Sequence, residues 1–145
     1  MGLDCSHDCW HGAYSAFNRW RMKIAEVAGY EICSVDHGDG RGLSQTIMLE
    51  WHRYHGGQLY GEWGDDNKPG QGTPHDPLIV LFVHSDCEGV IHPTQANDLA
   101  NALCDLLPKL DGDGGGHVGN YRETTLRFIQ GLRRAFSDQE DVEFH

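Results

Sequence analysis

The sequence predicts a small single-domain α/β (or α+β) protein, a mixed β-sheet with about three main helices. Three observations carry this. The chain has 145 residues, enough for one domain that buries its own core. Three segments place apolar residues at helical spacing. A further run, Pro77–His84 (PLIVLFVH), is apolar throughout and is followed by turn residues, the pattern of a central strand covered on both faces.

Gly2–His7 (GLDCSH) reads as a short strand or extended entry. From Ala13 to Ala28, Phe17, Trp20, Ile24, Val27 and Ala28 recur at helical spacing; Ser15 can cap locally and Gly29 sits where a left-handed stop belongs. The next stretch is the least legible. Asp36–Gly42 is loop by composition. Ser44–His55 fits two patterns: Ile47, Leu49 and Trp51 alternate as in a strand, whereas Ile47, Trp51 and Tyr54 suit a helical face. Gly56–Pro77 is rich in Gly, Pro and Asp, with Tyr60 and Trp63 as anchors. Residues 36–76 are therefore expected to form a long irregular loop region inside the single domain 1–145, a length that usually signals function or motion.

After the apolar run, Ser85–Gly89 is a polar turn. Pro93 opens a helix to about Leu107 with Leu99, Leu103, Leu106 and Leu107 on its core side, and Asp111–Gly116 (DGDGGG) is a loop. Asn120 caps a last helix whose apolar contacts are Tyr121, Leu126, Phe128, Ile129, Leu132 and Phe136, and Val142–Phe144 adds an edge strand.

Composition narrows the function classes. The formal charge is −11, from 22 acids and 11 bases. A nucleic-acid groove needs concentrated basic surface, so direct nucleic-acid binding is disfavoured, while a basic protein partner fits. No apolar run is long enough to span a membrane. The opening MGLDCSHDCW lacks a basic segment followed by an apolar one, so no secretory leader is expected. Five cysteines, at 5, 9, 33, 87 and 104, are most simply reduced thiols in a cytoplasmic chain.

Two polar clusters follow extended segments: Cys5, Ser6, His7, Asp8, Cys9 and His11, and then His84, Ser85, Asp86, Cys87 and Glu88. Ligands of open α/β sheets bind beyond the carboxyl ends of strands. If the segments ending at His7 and His84 are parallel neighbours, the two clusters share one cleft. Cys5, His7, Cys9 and His11 have ligand chemistry for Zn²⁺, though no Cys-x-x-Cys spacing. His7, His84, Asp86 and Cys87 form the alternative set for Zn²⁺ or another divalent ion. His84-x-Asp86 also has the makings of an acid/base pair, the carboxylate fixing an imidazole tautomer. Cys87, between two acids, is a poor nucleophile. Among the few cations, Arg122 with His117 and the start of the last helix could grip a phosphate. Each cluster has a plainer reading, as caps and surface ion pairs.

The motifs Leu3-Asp-x-Ser-His-Asp-x-Trp10, Tyr14-Ser-x-Phe-Asn-Arg19, His84-Ser-Asp-Cys-Glu-Gly89, Gly131-Leu-Arg133 and Val142-Glu-Phe-His145 resemble those of a family of short, largely uncharacterised proteins from tailed phages, prophages and some bacteria. The resemblance covers about two thirds of the chain, both ends and the strand before His84, and brings no established activity. In that pattern His7, Asp8 and the His84–Glu88 segment are fixed elements, whereas Cys5 and Cys9 are not. This moves weight from a thiolate zinc centre to a polar site of His7, Asp8, His84 and Asp86. It also implies a setting in the host cytoplasm, where small phage proteins antagonise defence by sequestering a nucleotide signal or blocking an effector. The function expected first is binding of a polar, nucleotide-like ligand by His7, Asp8, His84, Ser85 and Asp86, with His117 and Arg122 as anion contacts. A metal-dependent hydrolase and an acidic protein–protein inhibitor of a host defence protein are the competing readings.

Overall fold

A computed structural model describes residues 2–36, 38, 43–48, 64–65, 68–69, 77–84, 89–116 and 118–145. The extended entry is shorter than its sequence suggests. β1 (Gly2–Asp4) pairs antiparallel with β2 (His11–Ala13). Between them Ser6–Asp8 forms one 3-10 turn in which His7 and Asp8 both take φ of 59°. His and Asp are among the few side chains that tolerate this left-handed backbone, so the turn is written into the residues Ser-His-Asp.

α1 (Tyr14–Val27) follows directly. Its buried residues Ala16, Phe17, Trp20, Arg21, Ile24 and Ala25 form one stripe, and Gly29, at φ 91°, ends it as expected. β3 (Glu31–Asp36) and β4 (Leu43–Met48) then pair antiparallel over six residues each. The strand pattern thus holds for Leu43–Met48, and that part of 36–76 is a regular ladder rather than irregular loop. Gly64–Asp65 (β5) and Lys68–Pro69 (β6) make a minimal pair. The remainder of 36–76, apart from Gly38, lies outside the described residues.

The apolar run corrects the prediction most. Leu78–Val83 is a helix, α2, not a central strand. Leu78, Ile79, Val80 and Leu81 are all buried. A short continuous apolar run has no polar face and so carries no period that separates strand from buried helix. Arg21 supplies what the spacing could not show: its guanidinium, buried in the core, donates to the carbonyls of Leu81 (3.1 Å) and His84 (2.6 Å), satisfying the end of α2.

β7 (Gly89–Ile91) leads into α3 (Pro93–Leu106), which starts with Pro at its first position. α4 (Tyr121–Asp138) is capped by Asn120, whose side chain accepts from the Glu123 amide at 3.0 Å. β8 (Val142–Phe144) pairs antiparallel with β7. Reciprocal bonds between Asp4 and His145 (2.8 and 2.9 Å) and a bridge from Cys5 to Phe144 join the terminal ladders. The two ladders, β1-β2 and β7-β8, remain separate two-stranded sheets that touch at these ends. The chain is a small single α/β domain, as predicted, and every strand pairing among the described residues is antiparallel.

Trp10, Phe17, Trp20, Phe128 and Phe144 make the aromatic centre, with Trp20 and Phe128 4.7 Å apart. Trp20 donates its indole N–H to Thr125 Oγ1 at 2.9 Å, keeping the buried polar atom satisfied. Gly131, inside α4, decides how close that helix comes to the Ser6–Asp8 turn. A Cβ there would stand 2.3 Å from Cys9 Sγ and 2.9 Å from the His7 carbonyl oxygen. Only a residue without a side chain lets α4 seat the turn that carries His7.

Candidate functional site

The Ser6–Asp8 turn is gripped by α4. Arg134 donates to the His7 carbonyl, and Arg127 donates to both the Asp8 carbonyl (3.2 Å) and its carboxylate (2.7 Å). At the far end of α4, Gln139 adopts a left-handed conformation (φ 54°) that reverses the chain. The reversal brings the segment 138–141 back over the turn. There His7, Asp138 and Glu140 each offer a ligand atom, all within 4.8 Å of one another.

His7 is held from both sides. Its Nδ1 lies 2.9 Å from Ser6 Oγ and its Nε2 3.4 Å from Glu140 Oε1. Ser6 Oγ also accepts the Glu143 amide at 2.8 Å and lies 3.5 Å from the Asp141 carbonyl. A hydroxyl has one proton and two lone pairs. If Nδ1 carries the imidazole proton, Ser6 accepts from Nδ1 and from Glu143 and donates to Asp141, and all its capacity is used. That tautomer leaves the Nε2 lone pair facing the two carboxylates, the arrangement a metal-binding imidazole needs. His92, with Nδ1 3.1 Å from Asp141 Oδ1, closes the neighbouring edge. His7 is 14% exposed, while Asp138 and Glu140 are open to solvent. A cation here would keep open positions for a second ligand.

The other expected site residues are placed differently. Asp8 belongs to an exposed network: His11 binds Asp4 through Nδ1 (2.6 Å) and Asp8 through Nε2 (2.9 Å). The hydrogen bond from Arg127, with that from His11, holds the Asp8 carboxyl below its usual range. The hydrogen bond to Asp4 raises His11 most, desolvation takes part of that back, and the hydrogen bond to Asp8 adds a smaller rise. Cys5 and Cys9 are buried, and burial pushes both thiols up, Cys9 to about 12. Both belong to the hydrophobic core, and the metal-ligand cluster found among the described residues takes in His7 but not Cys5, Cys9 or His11.

His84 ends α2, buried at 7% exposure. Its Nε2 lies 3.1 Å from the Val90 carbonyl, and its ring packs 4.1 Å from that of Phe144. His7 meets Glu140 just before β8, whereas His84 meets Phe144 at its last residue. With α2 a helix, the two parallel strand ends that were expected to bring these imidazoles together are not formed. Ser85, Asp86, Cys87 and Glu88 lie outside the described residues, as does His117. Arg122 is engaged internally, donating to the Leu107 carbonyl (3.2 Å) and to Asp111 (3.1 Å). Its ion pair with Asp111 is exposed on both sides.

Sequence reasoning missed Asp138, Glu140, Asp141 and His92. The available signal was the acidic stretch Ser137-Asp-Gln-Glu-Asp141 beyond the last apolar position of α4, which looks like solvated surface until the reversal at Gln139 is known. No protein-family model, curated protein or solved structure matches the chain. No helix among the described residues is long and apolar enough to cross a membrane.

Proposed function

We propose that this protein is a binding module that holds a divalent cation at His7, Asp138 and Glu140 and, through it, a polar, nucleotide-like ligand. The observation that carries the reading is the convergence of one imidazole and two carboxylates, with Ser6 able to fix the imidazole tautomer. One nitrogen and two oxygens suit Zn²⁺ or Mn²⁺. Three protein donors leave coordination positions for the oxygens of an anionic ligand. The resemblance to short phage proteins supplies the setting: sequestration of a nucleotide signal that a host defence uses.

The same open positions favour a second reading, a metal-dependent hydrolase in which the cation activates water. In that case the nucleophile is water and not Ser6, because Ser6 Oγ already accepts the Glu143 amide. Chelator-stripped protein titrated with Zn²⁺ and Mn²⁺, with and without a nucleoside phosphate, tests both. Binding of one cation that strengthens nucleotide binding without turnover supports the module, and nucleotide hydrolysis supports the enzyme. Failure of the cation to bind removes both.

A further inference from the structure

A different face of the molecule carries a second site. α1 buries one stripe and presents another, on which Arg19, Lys23 and Glu26 recur at i, i+4 and i+7. With Tyr30, Ile32 and Tyr121 they border a cavity of about 380 Å³, within the size range of small-molecule sites. Tyr121 opens α4 and Asp138 closes it, and an 18-residue helix is about 27 Å long at 1.5 Å per residue. The His7 turn sits against Gly131 and Arg134 of α4, about 15 Å or more along the helix from Tyr121.

Its charge is out of keeping with the chain. The protein has only 11 basic residues against 22 acidic ones, yet two cations meet here. Neither Arg19 nor Lys23 forms an ion pair among the described residues, whereas Arg122 and Arg127 are both bound to carboxylates. Lys23 Nζ stands 5.5 Å over the Tyr121 ring. The Arg19 guanidinium lies beside the Gly116 backbone, 3.9 Å from where a Cβ would be. Tyr30 is fixed in the wall, edge-on to Phe82 at 5.0 Å.

We infer that this cavity binds a nucleoside monophosphate. Arg19 and Lys23 take the phosphate, for which a guanidinium fork and an ammonium are the matching donors. Tyr121 and Ile32, both half-buried, offer an aromatic and apolar wall for a base, and the buried Tyr30 backs it from behind. Glu26 stands on the same helical face as an acceptor for sugar hydroxyls.

The test is calorimetric titration of the full chain with adenosine 5′-monophosphate, adenosine and inorganic phosphate, all with EDTA present. The chelator empties the His7 site, so failure of the cation reading leaves this result untouched. The monophosphate should bind one per chain, and adenosine and phosphate each at least about tenfold more weakly. An Arg19→Gln/Lys23→Met double variant, altered only on the outer face of α1, should keep its melting temperature and lose at least about tenfold in affinity. Absence of binding at millimolar monophosphate, equal affinity for adenosine, or unchanged affinity in the folded double variant would each overturn the inference.

Discussion

Nε2 of His7 lies 3.4 Å from Oε1 of Glu140, across 133 residues of sequence. Two left-handed residues make the contact: His7, at φ 59° in the first turn, and Gln139, at φ 54° after α4. If this contact belongs to a cation site, Asp138→Asn and Glu140→Gln should each weaken cation affinity by about tenfold or more, the scale of losing one charged ligand. Both side chains are exposed, so melting temperatures should barely move. Paired titrations and thermal melts on the same preparations check this.

Ser6→Ala should do both. Loss of the Glu143 amide's acceptor should cost about 1–2 kcal/mol of stability. Loss of the group that orients Nδ1 should lower cation affinity about 10–100-fold. A variant that loses only stability would reduce Ser6 to a strand anchor.

Gly131→Ala should destabilise, although alanine is the better helix former by about 1 kcal/mol. The new Cβ would meet Cys9 Sγ and the His7 carbonyl inside contact distance, and overpacking of this kind costs about 1–3 kcal/mol. Denaturant unfolding gives the difference, and a stabilised variant would show that α4 and the turn are not in close contact.

The Asp4–His11–Asp8–Arg127 network should be visible as pH dependence. His11 is raised, so its contribution is fully present below the unfolded value of about 6.5 and is lost as pH rises through the higher folded value. Asp8 is lowered, so its contribution is present above about 3.9 and is lost as pH falls through the lower folded value. An NMR titration should place His11 above the free imidazole, and Asp4→Asn should bring it back down. A His11 that titrates like a free imidazole would remove the network.

Much of the frame was legible because its residues repeat. Phe17, Trp20 and Ile24 in α1, Leu99 and Leu103 in α3, and Phe128, Ile129 and Leu132 in α4 are buried at the spacing that predicted those helices. Gly29 and Asn120 end and start helices where local chemistry demands. Pro77–His84 misled because it is apolar on every side, and the contact that ends α2 comes from Arg21, about 60 residues earlier. The site was half legible. His7 stood out as chemistry, but its carboxylates arrive from the opposite end of the chain, and no spacing rule reaches that far. The pairing of His7 with His84 rested on parallel strands, a premise that the helical α2 removes.

The cation site is tested most directly by adding Zn²⁺ and Mn²⁺ to chelator-treated protein while following cation binding and the His7 imidazole by NMR. One cation should bind per chain, with the perturbation centred on Nε2 of His7 and with binding lost in His7→Ala. A cation that binds His7→Ala as tightly as the parent, or that leaves the His7 resonances unmoved, would contradict the account.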